Sequence, residues 1–141
     1  MNIQNKTVLV LGGFGLVGNA IVRKIINEKP KRIIVTSLLK HEAEEYAEKL
    51  QSDYPNLPEN YFVPWWGNIF VRNEFKDENR FALLDDKEKR RTLMRDIMEE
   101  MTDDILEESS IYQLVTKYKP EIIVDAINSA TGIAYQDVYT T

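Results

Sequence analysis

Thr7-Val8-Leu9-Val10-Leu11-Gly12-Gly13-Phe14-Gly15-Leu16-Val17-Gly18 is the stretch whose reading decides the fold. An apolar strand of about Thr7 to Leu11 feeds a glycine-rich turn, and the turn opens a helix running to about Asn27 or Glu28. Such a turn aims unpaired backbone N–H groups and the positive end of a helix dipole at one point, which suits a pyrophosphate. The glycines divide the labour: one makes the tight turn, one lets the ligand approach the backbone, and one lets helix pack on strand. Tight turns use glycine too, so a purely structural turn is the competing reading of Gly12-x-x-Gly15-x-x-Gly18. A strand before and a helix after favour a dinucleotide site.

Working outward, the chain of 141 residues suits one domain with a real core. Its 43% hydrophobic and 29% charged residues are ordinary for a soluble globular protein. Cysteine is absent, which removes disulfides and thiolate chemistry and is compatible with a cytoplasmic location. Met1 to Lys6 holds no apolar core of a signal peptide, and no apolar run nears the roughly 20 residues that cross a bilayer. A net charge of −5 argues against nucleic acid as a partner. Residues 71–110 hold 13 acidic and 8 basic side chains, leaving 10 of each elsewhere, so the whole imbalance lies in that segment.

Beyond the first helix, which Pro30 is expected to end, Arg32-Ile33-Ile34-Val35-Thr36-Ser37 reads as a short buried strand. Lys40 to Ser52 reads as a helix with Ala43, Tyr46, Ala47 and Leu50 on one face. Pro55 and Pro58 mark a loop. Tyr61 to Trp66 reads as a third strand closed by Gly67-Asn68, and Glu121 to Ile127 as a fourth, buried one. Strands alternating with helices predict an α/β fold: a Rossmann-like parallel sheet, with right-handed crossovers and strand order 3-2-1-4.

The third and fourth strands are separated by about 50 residues, where a crossover helix takes about a dozen. Leu93, Met94, Ile97, Met98, Met101 and Ile105 follow the helical period, as a core stripe or as a partner surface. One continuous helix would set Glu99, Glu100, Asp103, Asp104, Glu107 and Glu108 at its negative end, so a break is expected near Thr102-Asp103, with an acidic first turn beyond it. A last helix is expected over about Ser109 to Tyr118. We read 71–108 as a charged helical insertion within a 1–141 domain, its acidic run a solvated face.

The combination resembles the extended and atypical branches of the short-chain dehydrogenase/reductase superfamily, which include nucleotide-sugar epimerases and dehydratases. The likeness is carried by Gly12-Gly13-Phe14-Gly15-Leu16-Val17-Gly18, by Gly67-Asn68-Ile69 after the third strand, and by Pro120-Glu121-Ile122-Ile123-Val124-Asp125-Ala126-Ile127-Asn128. The resemblance implies that the glycine run holds the cofactor's pyrophosphate, that Asn68 and Ile69 contact adenine, and that Ala126, Ile127 and Asn128 lie beside the cofactor.

Three departures matter. The family's acid at the end of the second strand, which grips the ribose of NAD, is replaced by Thr36-Ser37-Leu38-Leu39-Lys40. Hydroxyls plus a cation suit a 2′-phosphate, so Ser37 and Lys40 are assigned to that position and NADP is favoured over NAD. Asn68 stands where the family has Asp, and its amide still serves an adenine edge. The catalytic Tyr-x-x-x-Lys pair is missing: no tyrosine here has a lysine four positions on. In the family that pair follows a fifth strand, so the chain is expected to be the N-terminal part of a longer enzyme. An intact small protein that pairs its fourth strand with a second copy is the alternative.

Other residues carry less. His41 is the only histidine and cysteine is absent, so no metal site is expected. Asp85-Asp86 and Asp103-Asp104 are adjacent on helices and do not face each other. Ser129 and Thr131 follow the fourth strand but are not assigned as catalytic, and Trp65-Trp66 is read as packing. The functional expectation is thus the NAD(P)-binding part of an oxidoreductase, epimerase or dehydratase, with no catalytic residue of its own and an unread small-molecule substrate. A non-catalytic NADP-sensing module is the second reading, and a structural Rossmann domain assembling through its acidic insertion the third.

Overall fold

The structure, a computed structural model, describes residues 1–127; Asn128, Ser129 and Thr131 lie outside the described residues. The described residues form two compact units, one of residues 1–65 and 120–127 and the other Trp66–Lys119. That second unit is wider than the charged segment 71–108.

The first unit is built on a parallel sheet. β1 (Thr7–Leu11) and β2 (Arg32–Ser37) pair from Thr7↔Arg32 to Val10↔Val35, and β1 pairs on its other side with β4 (Ile122–Asp125) from Val8↔Ile122 to Leu11↔Asp125. With β3 (Phe62–Trp66) the order is β3-β2-β1-β4, as the alternation of strand and helix predicts. Val8, Leu9, Val10, Ile33, Ile34 and Val35 are all fully buried, so both faces of the central strands are covered. That is why these strands are continuously apolar rather than alternating. Each such side chain contributes about 1.5–3 kcal/mol of burial.

α1 (Leu16–Ile25) lays Val22 and Ile25 on the sheet, and α2 (Lys40–Asp53) adds Ala43, Tyr46, Ala47 and Leu50, the four positions its period predicts. The stop after α1 is not made by Pro30. A 3-10 turn, Ile26–Glu28, continues the helix, and Lys29 ends it in the left-handed region at φ 55, donating its N–H to Ile26 O at 3.0 Å. At the outer edges the strands are less buried than their apolar sequence suggests. β3 carries Pro64, tolerated where a strand lacks a neighbour on one side. β4 is shorter than the buried strand expected over 121–127, and Ile123 is 49% exposed, because among the described residues it pairs only with β1.

The second unit is helical: α3 (Arg80–Asp85), α4 (Lys87–Met98), α5 (Asp103–Glu108) and α6 (Ser110–Tyr118). Each begins at a side-chain cap, Asn79, Asp86, Thr102 and Ser109 respectively. The predicted break is present: α4 stops at Met98, and Thr102 accepts from Ile105 N–H to start α5 with Asp103 and Asp104 in its first turn. The core here is small, with Phe75, Leu83 and Leu93 packed with Val71. The methionine stripe is not core. Leu93 and Ile105 are buried, but Met94, Ile97, Met98 and Met101 stand 52–77% exposed. Within α4 the stripe runs only from Leu93 to Met98, and there, among the described residues, Leu93 alone is covered; Met101 lies beyond the helix. Arg72 joins Asp96 through two hydrogen bonds of 2.8 and 3.0 Å, both side chains largely buried. Asp96's hydrogen bond holds the guanidinium above its usual range.

Candidate functional site

The carboxyl ends of β1, β2 and β4 meet at the glycine loop. Gly12 leaves β1 at φ +73, which glycine adopts freely, and its N–H donates to Thr36 Oγ1 at 3.0 Å. The Thr36 hydroxyl donates in turn to Val10 O at 3.4 Å. Gly12 O accepts from Gly15 N–H at 3.1 Å and lies beneath Gly18, where an added Cβ would come within 2.0 Å of it. The first turn of α1 is therefore pressed onto the loop. Phe14 fixes the loop from outside, edge-on to Tyr46 with ring centroids 5.9 Å apart. The Tyr46 hydroxyl donates to Asn19 Oδ1 at 2.7 Å, and burial pushes the phenol up to about 12.

Gly15 is different. Its φ of −65° suits any residue, and the nearest atom to an added Cβ is Gly12 O at an ordinary 3.4 Å. Gly15 is also the N-cap of α1, a place that favours Ser, Thr, Asp, Asn or Gly, and no side chain caps the helix. Helix geometry leaves the N–H groups of Leu16, Val17 and Gly18 without intrahelical acceptors; the ladder starts with Asn19 N–H to Gly15 O at 2.8 Å. Leu16 and Val17 are 90% and 48% exposed, so that helix end opens outward.

β2 ends beside the loop in a way the sequence reading misses. The Thr36 hydroxyl, counted with Ser37 as facing a 2′-phosphate, is buried and engaged with Gly12 and Val10. Ser37 Oγ donates to Glu42 Oε2 at 2.6 Å. Lys40 points largely into solvent, 3.9 Å from Glu44. The signal for Glu42 is an acid in the first turn of the helix that follows the strand.

On the other flank, Ala126 N–H donates to Leu11 O at 2.9 Å, and Ala126 and Ile127 stand within 3.2 Å of where a Gly12 Cβ would sit. Gly13 rests against Val35. The structure brings Gly12, Gly13, Phe14, Gly15, Gly18, Ser37, Ala126 and Ile127 to one edge of the sheet. Asn68 and Ile69 open the second unit. Asn68 Oδ1 accepts from Phe70 N–H at 2.9 Å, and Asn68 O accepts from Ser110 Oγ at 2.7 Å. The side-chain oxygen therefore serves a local turn.

No protein-family model matches the chain, and no curated protein matches it. Among solved structures it is similar to the X-ray structure of Pen from Bacillus thuringiensis, at 26% identity and a TM-score of 0.42. That match covers 50% of this chain and 20% of the other, so the chain spans about a fifth of that structure's length.

Proposed function

We propose that the chain binds a nicotinamide dinucleotide, NAD or NADP, with its pyrophosphate on the N–H groups of Leu16, Val17 and Gly18. Gly15 carries the reading. The backbone conformation asks for no glycine there, no side chain caps the helix, and the position stays bare beside the exposed start of α1. A bare N-cap leaves room for an approaching anion. Gly12 and Gly18 support the loop for reasons of their own, so they do not carry the proposal.

The activity is that of the cofactor-binding part of an oxidoreductase, epimerase or dehydratase. The cofactor supplies hydride transfer when bound, and this chain's residues hold and orient it. The adenine role of Asn68 and Ile69 and the cofactor contact of Ala126, Ile127 and Asn128 rest on the family resemblance. No tyrosine in the chain is followed four residues later by lysine, so the proton-transferring groups belong to residues beyond these motifs.

Gly15→Asp tests the proposal by placing a carboxylate in the anion cradle. NADH and NADPH titrations followed by amide chemical shifts should perturb residues 12–18 in the parent chain. In the variant, with circular dichroism unchanged, affinity should fall at least about tenfold. Undiminished binding in a folded Gly15→Asp chain sinks the assignment.

A further inference from the structure

The exposed side of α4 carries charge and apolar surface together. A groove of about 570 Å³ runs along it, where Lys87, Arg90, Arg91 and Arg95 surround Met94 and Met98. We infer that this groove docks α5 of a second copy of the chain, with Arg91, Met94 and Arg95 set against Asp103, Leu106 and Glu107.

Two patches of opposite charge share one spacing. Residues three and four apart are neighbours on a helix, so Arg91, Met94 and Arg95 form one patch on α4. Asp103, Leu106 and Glu107 repeat that spacing on α5. In each patch the two charges stand about 6 Å apart along the helix axis with an apolar side chain between them. Met94 is 52% exposed and Leu106 39%. The side chains of Arg91, Arg95, Asp103 and Glu107 are exposed, and none has a hydrogen-bond or ion-pair partner among the described residues. The opposite stripe of α4 is already engaged: Leu93 is buried, Lys89 bonds Glu78 at 2.8 Å and Asp96 bonds Arg72.

Charge selects the occupant. The groove holds four cations against one acid, Glu99. Its complement is an acidic helix with an exposed apolar residue, and α5 is such a helix, with Asp103, Asp104, Glu107 and Glu108 around Leu106. The two patches do not pair within one chain, so a second copy can satisfy both, and a two-fold pair makes the contact twice. Exposed ion pairs contribute little singly; they set the register, and the apolar side chains covered between them add to the binding. A contact between such short helices belongs with weak, reversible association, so the free chain still exposes the stripe.

Sedimentation equilibrium of the chain should show dimers forming between about 10 μM and 1 mM. Arg91→Glu with Arg95→Glu, and separately Asp103→Lys with Glu107→Lys, should each weaken association at least about tenfold, because each sets like charges together. An equimolar mixture of the two double variants should associate again, since each then offers the other opposite charges. Circular dichroism checks both folds, and Glu107→Lys alone, which leaves the first turn of α5 intact, should weaken association in the same direction. Association unchanged in the folded variants, or a mixture that stays monomeric, overturns the inference. A parent chain that is monomeric at about 1 mM overturns it too. If that chain instead sediments with phosphatidylserine vesicles, the stripe belongs to an anionic lipid surface and not to a second copy.

Discussion

Thr36 and Gly12 are joined by a buried hydrogen bond, Gly12 N–H to Thr36 Oγ1 at 3.0 Å, with the same hydroxyl donating to Val10 O. One hydroxyl thereby ties the end of β2 to the turn that leaves β1. It is a positioning contact: the hydroxyl is too buried to meet a ligand.

Thr36→Val keeps the branched shape and removes the hydroxyl, leaving the Gly12 donor unpaired. Urea unfolding should show a loss of about 1–3 kcal/mol. NADH titration should show weaker binding, because the loop is no longer fixed. Thr36→Ser should restore most of both. Equal stability of the valine variant and the parent would show that the bond does not hold the loop.

Gly18 and Gly15 differ in what they tolerate. A Cβ at Gly18 would lie 2.0 Å from Gly12 O, a backbone atom that has no room to move, whereas at Gly15 the nearest atom is 3.4 Å away. Gly18→Ala should therefore lower unfolding stability by several kcal/mol, about 3 or more, or prevent folding. Gly15→Ala should leave thermal unfolding within about 0.5 kcal/mol of the parent and still weaken NADH. Similar unfolding curves for the two variants would contradict this division.

Tyr61 gives a pH prediction. Its hydroxyl donates to Pro30 O at 2.6 Å, and burial pushes the phenol up to about 12 from its ordinary 10. The folded state holds that proton more tightly than the unfolded chain. Stability from this group is thus complete below pH 10 and is lost as the pH rises from 10 through 12. The loss is about 2 kcal/mol over that window. Tyr61→Phe is less stable at neutral pH by about 1 kcal/mol but should fall less steeply between pH 10 and 12. Parallel stability–pH curves for the two chains would contradict the assignment.

The sheet was legible because its signals are local. Val8 to Val10 and Ile33 to Val35 are apolar without alternation, which only a strand covered on both faces tolerates. Thr102 was legible as a start because its hydroxyl accepts from Ile105 N–H, three residues on. Two things were not. Which side of an amphipathic helix is covered depends on partners, so Leu93 proved buried and Met98 exposed although one stripe contains both. Where Ser37 turns its hydroxyl depends on how α2 is set after Leu38 and Leu39, and the strand end alone gives no sign of Glu42.

Met94, Met98 and Met101 expose their thioethers while Phe75, Leu83 and Leu93 stay enclosed. Peroxide would reach these three side chains, like the exposed Met1, at the surface, and the resulting sulfoxides would turn an oily stripe polar. The unit would wear its oxidative damage on the outside, where a reductase can reverse it without opening the fold.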